Sequence, residues 1–152
     1  MIPILEDMFE RLDDLTQMAK TSIKDLPDAA LDWSPGEGMN SLGVLASHTS
    51  GSIRYLIGDM AGGQTVKRER DHEFVITGLS VTKATALLDE ALEYSKEILE
   101  TFSYEDLEMM RYSERHKREF RVGWSLSHAL EHAALHVGHM EITRQVWDQR
   151  EG

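Results

Sequence analysis

Trp124-Ser-Leu-Ser-His128-Ala-Leu-Glu-His132-Ala-Ala-Leu-His136-Val-Gly138-His139 carries four of the chain's seven histidines. They stand at i, i+4, i+8 and i+11. At about 100° per residue on an α-helix, these offsets bring all four imidazoles within an arc of roughly 80°. Trp124, Leu135, Ile142 and Val146 fall in or beside that arc, and Leu126, Leu130, Ala133, Val137 and Met140 form a second apolar face roughly opposite. An imidazole on a core-facing stripe needs a hydrogen-bond or metal partner, because an unsatisfied polar group is costly to bury. A lone histidine is readily satisfied by a neighbour. Four on one stripe point to a metal, for which neutral imidazole is the commonest side-chain ligand.

The helix that bears them runs from about Trp124 to Gln149, and a helix apolar on two faces requires neighbours on both. Upstream, Ile4, Leu5, Met8, Leu12, Leu15, Ala19, Ile23 and Leu26 recur at three- and four-residue steps and predict a first helix, which Pro27 ends or follows with a short turn. Pro35, Gly36 and Gly38 punctuate a connector over residues 31–41, in which Trp33 packs over a bundle end or lines a pocket mouth. Asn40 or Ser41 is a suitable N-cap for a second helix to about Met60, with His48 on the flank of its apolar set Leu42, Leu45, Ile53, Leu56 and Met60. Gly43, Gly51 and Gly58 weaken that helix unless they permit close packing or leave room for a ligand. Residues 61–80 read as a long crossover, since Phe74-Val75-Ile76 has no sheet to join. A third helix spans about Val81–Thr101. Residues 103–123 are irregular and charged, with room for a helical turn at Tyr104–Leu107 or a hairpin. The expected fold is an all-α four-helix bundle with a long crossover, forming one domain over residues 1–152. The two-faced last helix predicts a homodimer.

Composition narrows the function. A formal charge of −11 disfavours a nucleic-acid partner, and the two basic runs, Lys67-Arg68-Glu69-Arg70 and Arg115-His-Lys-Arg118, are interrupted and read as solvated loops. His116 lies among those charges and reads as exposed. The absence of cysteine removes disulfides, thiolate ligands and a cysteine nucleophile, and fits a reducing cytoplasm. The first residues lack the basic region of a signal peptide, and no apolar run approaches the ~18 residues of a membrane span. The expected setting is cytoplasmic, with no membrane partner.

Histidines four apart on one helix can share a metal, with a third ligand from elsewhere in the fold. His132/His136 and His128/His132 both satisfy that spacing, and His48 is the natural third ligand. Three imidazoles on a zinc-like ion leave a position open for water or substrate. Histidines do not by themselves choose among zinc, nickel, iron and copper. There is no His-Glu-x-x-His, no duplicated Glu-x-x-His of the di-iron bundles, no nucleophile elbow and no phosphate-binding loop. Glu131 and Glu141 are conceivable bases, but exposed helical carboxylates are the commoner reading.

Trp33-Ser-Pro-Gly-Glu-Gly-Met-Asn40-Ser41-Leu-Gly-Val-Leu-Ala-Ser-His48 resembles the connector and second-helix motif of the DinB-like superfamily, which includes the YfiT-type metal-dependent hydrolases and thiol-dependent transferases. Leu130-Glu131-His132-Ala-Ala-Leu-His136-Val-Gly138-His139 resembles its fourth-helix motif. The resemblance extends over essentially the whole chain in length and helix order. It implies a bundle holding a divalent transition metal, zinc or nickel first among them, on His48, His132 and His136, and a protein that often dimerises. It also implies a small-molecule substrate or a low-molecular-weight thiol, used in hydrolysis or S-transfer. Apart from the resemblance, Tyr55 and His128 are candidate groups beside the metal. Two departures stand out. His139 occupies the place where the family usually has glutamine, and His128 precedes the pair by one turn. Each is an accessory group, a fourth ligand that closes the site, or a surface residue. The rival readings are a metal-stabilised or metal-sensing dimer without catalysis, and a hydrogen-bonded histidine network without metal.

Overall fold

Apolar residues at helical spacing wind Pro3–Ile23 into α1, with Pro3 in the first turn where its missing N–H costs nothing. The structure, a computed structural model, describes residues 1–150. After α1 a 3₁₀ turn, Asp28–Asp32, buries Ala30 and Leu31. Ser41 then caps α2, Leu42–Ile53, its hydroxyl accepting the Val44 N–H at 3.3 Å. The chain continues without a break into a π-helical stretch, Arg54–Ala61. A crossover bearing the short α3, Arg70–Glu73, leads to α4, Val81–Leu99, which Ser80 caps through the Lys83 N–H. A 3₁₀ turn at Glu105–Glu108 precedes an antiparallel hairpin of β1, Met110–Ser113, and β2, Arg118–Arg121, paired Met110 to Arg121 and Ser113 to Arg118. The long α5, Val122–Gln149, closes the described chain.

The four long helices pack in a ring: α1 against α5, α5 against α2, α2 against α4, and α4 against α1. This is the four-helix bundle that the periodicity predicts. Two apolar clusters fill it. One gathers Leu12, Ile57, Leu99 and Ala133, and the other Ile23, Leu45, Leu88 and Met140. Among the described residues no helix is long and apolar enough to cross a membrane. Trp33 sits edge-on to Trp147 at the bundle end, their ring centroids 5.4 Å apart, so its role is packing.

Several sequence expectations need correction. The first helix stops at Ile23 rather than Leu26, because Asp25 adopts φ 60° and turns the chain. On α5 only one apolar face is core: Leu126, Ala129, Ala133, Val137 and Met140 are buried. The apolar residues on the histidine side, Trp124, Leu135, Ile142 and Val146, are exposed. The segment 103–123 contains both a 3₁₀ turn and a hairpin, where the sequence suggested one or the other.

The π-helical widening was not anticipated, and its surroundings show what holds it. Ser125 donates its hydroxyl to the Leu56 carbonyl at 2.8 Å, and Arg111 Nε donates to the Ala61 carbonyl at 3.2 Å. Tyr94 of α4 presses its ring against Gly58, where any Cβ would collide with the phenol. Wide turns of this kind are rare and concentrate at functional sites. Here the turn carries Tyr55, whose hydroxyl lies 3.1 Å from Ser113 Oγ in the hairpin. Ser41→Ala removes the α2 cap and should cost about 1 kcal/mol, lowering the thermal midpoint by roughly 2–4 °C in calorimetry.

Candidate metal centre

Where α2 packs on α5, three imidazoles converge. His48 comes from α2, and His132 and His136 from successive turns of α5. Each offers one ring nitrogen to a cluster whose members all lie within 4.8 Å of one another. Ring centroids of His48 are 5.2 Å from His132 and 4.8 Å from His136. The Nε2 atoms of His132 and His136 stand 3.3 Å apart. Two nitrogens on one tetrahedral ion at about 2.0–2.1 Å are separated by roughly 3.3 Å, so the pair has the spacing that a zinc-like ion requires. His136 Nδ1 is buried and finds no hydrogen-bond partner among the described residues. Protein groups alone leave that ring incompletely satisfied.

Charge favours the same use. Burial, followed by the repulsion a second proton would meet from His136, His48, His128 and Arg68, pushes His132 down from 6.5 to about 4. Burial, His48 and His139 do the same to His136, also to about 4. Both rings are therefore neutral near pH 7, with lone pairs free for a cation.

His48 is held differently. It is 5 % exposed, and its Nδ1 lies 2.8 Å from Glu73 Oε2 on α3. A carboxylate only accepts, so Nδ1 carries a proton and Nε2 is the ring nitrogen left to serve as a ligand. Arg68 grips the same carboxylate with two hydrogen bonds, Nε to Oε1 at 2.6 Å and Nη2 to Oε2 at 2.7 Å, and donates to Ser52 Oγ at 2.9 Å. Burial pushes the Glu73 carboxyl up, but the hydrogen bonds and charges of Arg68 and His48 together hold it below its usual value. A carboxylate behind a histidine in this way fixes ring tautomer and orientation. Gly51 makes room for it, since a Cβ there would run into Glu73 Oε1 and Cδ.

Glu73 and Arg68 were not foreseen. Arg68 belongs to a run read as a solvated loop, yet its side chain is 10 % exposed and locked in an ion pair. Residues 61–80 have no periodicity to place them. Their one signal, an acidic residue beside an apolar Phe74-Val75-Ile76 run, is weak.

The other expected residues fall into place around the cluster. His128 stacks on Trp124 at 4.9 Å, pairs with Glu131 at 3.2 Å, and lines a pocket of about 160 Å³ together with Ser52, Tyr55, Leu56, His48 and His132. Tyr55 thus borders the same pocket as two of the imidazoles. His139 is exposed and lines a separate groove with Met39 and Ile142, outside the three-residue cluster. His116 is exposed as expected, but it lines the 160 Å³ pocket too. Glu141 faces another hollow, between α1 and α5.

The depressed imidazoles give a pH dependence of definite sign. Between about pH 6.5 and about 4 the unfolded chain binds protons at His132 and His136 that the folded chain refuses, so stability falls as pH drops through that window. Glu73 adds a further loss below 4.5, as its held-down carboxylate is finally protonated. Thermal melts in chelator from pH 7.5 to 4 should show this decline, and His132→Gln with His136→Gln should flatten the part above pH 4.5.

Comparison with known proteins agrees with the architecture. No curated protein matches the sequence. Among solved structures, a DinB-like protein from Bacillus cereus superposes with a TM-score of 0.74 at 17 % identity, over 92 % of this chain and 90 % of that one. YfiT from Bacillus subtilis, described as a probable metal-dependent hydrolase with an unusual four-helix bundle topology, gives 0.68 at 14 % identity over 92 % and 85 %. A mycothiol-dependent maleylpyruvate isomerase gives 0.66 at 14 % identity, over 90 % of this chain and 60 % of that one. At these identities the likeness is one of fold. The family model described as protein of unknown function DUF1572 matches residues 2–150, and the chain belongs to that family.

Proposed function

We propose that the chain is a metalloprotein that holds a divalent transition ion, zinc or nickel first, on His48, His132 and His136, and uses it on a small-molecule substrate. The observation that carries this reading is the convergence of three imidazoles, two of them kept neutral by burial, with Glu73 orienting the third. An ion bound there supplies Lewis-acid activation, lowering the pKa of a water for hydrolysis or of a low-molecular-weight thiol for S-transfer. The fold neighbours that are a probable metal-dependent hydrolase and a mycothiol-dependent isomerase support both options. The protein's own groups do the rest. Glu73 and Arg68 keep His48 in one tautomer, and the pocket beside His48 and His132 gives a substrate its approach. Tyr55 and His128 stand on that pocket as the side chains available to position or exchange a proton with what enters.

Metal quantified on protein purified without chelator or affinity tag should be near one ion per chain, and His48→Ala or His132→Ala should abolish it. Glu73→Gln keeps the volume but loses the charge behind His48, and should weaken binding by about 10–100-fold. Unchanged metal content in both histidine variants would sink the assignment. A cobalt-substituted form whose visible spectrum shifts on adding thiol identifies an open site, whereas an inert spectrum favours a metal-stabilised bundle without turnover.

The same reading includes a homodimer. Leu135 and Ile142 are 56 % and 53 % exposed along the outer side of α5, and Val146 continues the stripe. Such a contiguous apolar stripe marks an interaction surface. Sedimentation should give twice the chain mass, and Leu135→Glu with Ile142→Asp should return a folded monomer. A wild-type monomer at micromolar concentration removes the dimer from the proposal.

A further inference from the structure

The two basic runs, far apart in sequence, meet at one place. Arg68 and Arg70 from the crossover and Arg115 and His116 from the hairpin line the same 160 Å³ pocket as His48, His128 and His132. No aspartate or glutamate lines it. That is unexpected in a chain with 27 acidic and 16 basic residues. A pocket sampled from such a surface would carry more carboxylates than guanidiniums.

The three arginines are not equivalent. Arg68 is spent, since Glu73 takes it in a two-bond ion pair. Arg70 and Arg115 form no ion pair among the described residues. Arg70 lies over the Phe74 ring at 4.8 Å, and Arg115 near the Tyr55 ring at 5.9 Å. Contact with an aromatic face positions a guanidinium without cancelling its charge. Glu69 and Asp71 border an outer hollow that shares Arg68, Arg70 and Arg115, but both are exposed and neither is paired with these arginines. Two guanidiniums with no ion pair among the described residues therefore stand against aromatic rings beside the imidazole cluster, with their planar donor forks available.

We propose that Arg70 and Arg115 form an anion subsite, which selects small molecules carrying a carboxylate or phosphate group. A guanidinium fork matches either oxyanion through paired, charge-assisted hydrogen bonds. With the anionic end held there, the rest of the molecule reaches toward His48 and His132. This second half rests on the metal-centre reading, whereas the subsite itself needs no ion. The small pocket suits a small anion, and the chain's net charge of −11 disfavours a nucleic-acid backbone.

The test uses inorganic phosphate and succinate as probes, titrated by calorimetry at constant ionic strength set with sodium chloride. The proteins are wild type, Arg70→Gln, Arg115→Gln, His132→Ala and Arg11→Gln, with circular dichroism confirming that each is folded. Arg11 is an exposed arginine on α1 and controls for loss of general charge. Wild type should bind at least one probe, and each pocket arginine variant should bind it about tenfold more weakly. Arg11→Gln should bind as wild type does. A preference for phosphate assigns phosphorylated substrates, and a preference for succinate assigns carboxylates. Undiminished binding in both pocket variants overturns the subsite, as does wild type that binds neither probe at millimolar concentration. Binding lost only in His132→Ala also overturns it, by placing the anion on the histidine cluster. Metal content, measured on the same samples, separates failure of the metal reading from failure of the subsite.

Discussion

Three imidazoles must be kept neutral and aimed at one point between two packed helices. Burial does the first, by making the protonated form expensive at His132 and His136. Hydrogen bonding does the second, since Glu73 leaves His48 a single tautomer. The carboxylate that performs this service is itself buried and would be intolerable alone, so Arg68 neutralises it in a close two-bond pair. Each step creates the demand that the next one meets. The crossover is folded against α2 because Arg68 and Glu73 are needed there, and Gly51 is bare because Glu73 passes over it.

Much of this was legible in the chain. Helix spacing over about residues 4–26, 41–60, 81–101 and 124–149 predicts the bundle, and the histidine offsets predict a shared face. Spacing could not choose between His128/His132 and His132/His136, because both pairs are four apart. The choice depends on the rotation of α5 against α2, a property of packing on both helices. Likewise, the apolar residues beside the histidines looked like a second core face, but Leu135 and Ile142 point outward. A stripe's period says that residues share a face and leaves open what covers it.

What stayed hidden is instructive in physical terms. Glu73 lies on a helix of four residues, too short to show a period. Arg68 sits in a charged run, where composition favours solvation, and it is held inside by Glu73, 5 residues along the chain, and by Ser52 of α2. The wide turn at Arg54–Ala61 leaves no mark on hydrophobic spacing, since its cause is a tyrosine from α4 and a serine from α5. Net charge is equally silent about such a site. It describes the whole surface, whereas a pocket is built from a few side chains whose local balance can be the reverse.

Glu73 and His48 also span 25 positions of chain, and His132 brings in a helix from the far end of the sequence. The contacts at this one point therefore close two long loops, and long closures restrict an unfolded chain most. A cysteine-free protein has no covalent bond to do this. An ion seated on the three rings would act as its detachable cross-link, tying α2 to α5 with α3 clamped behind, and making the rigidity of the bundle depend on what the surroundings provide.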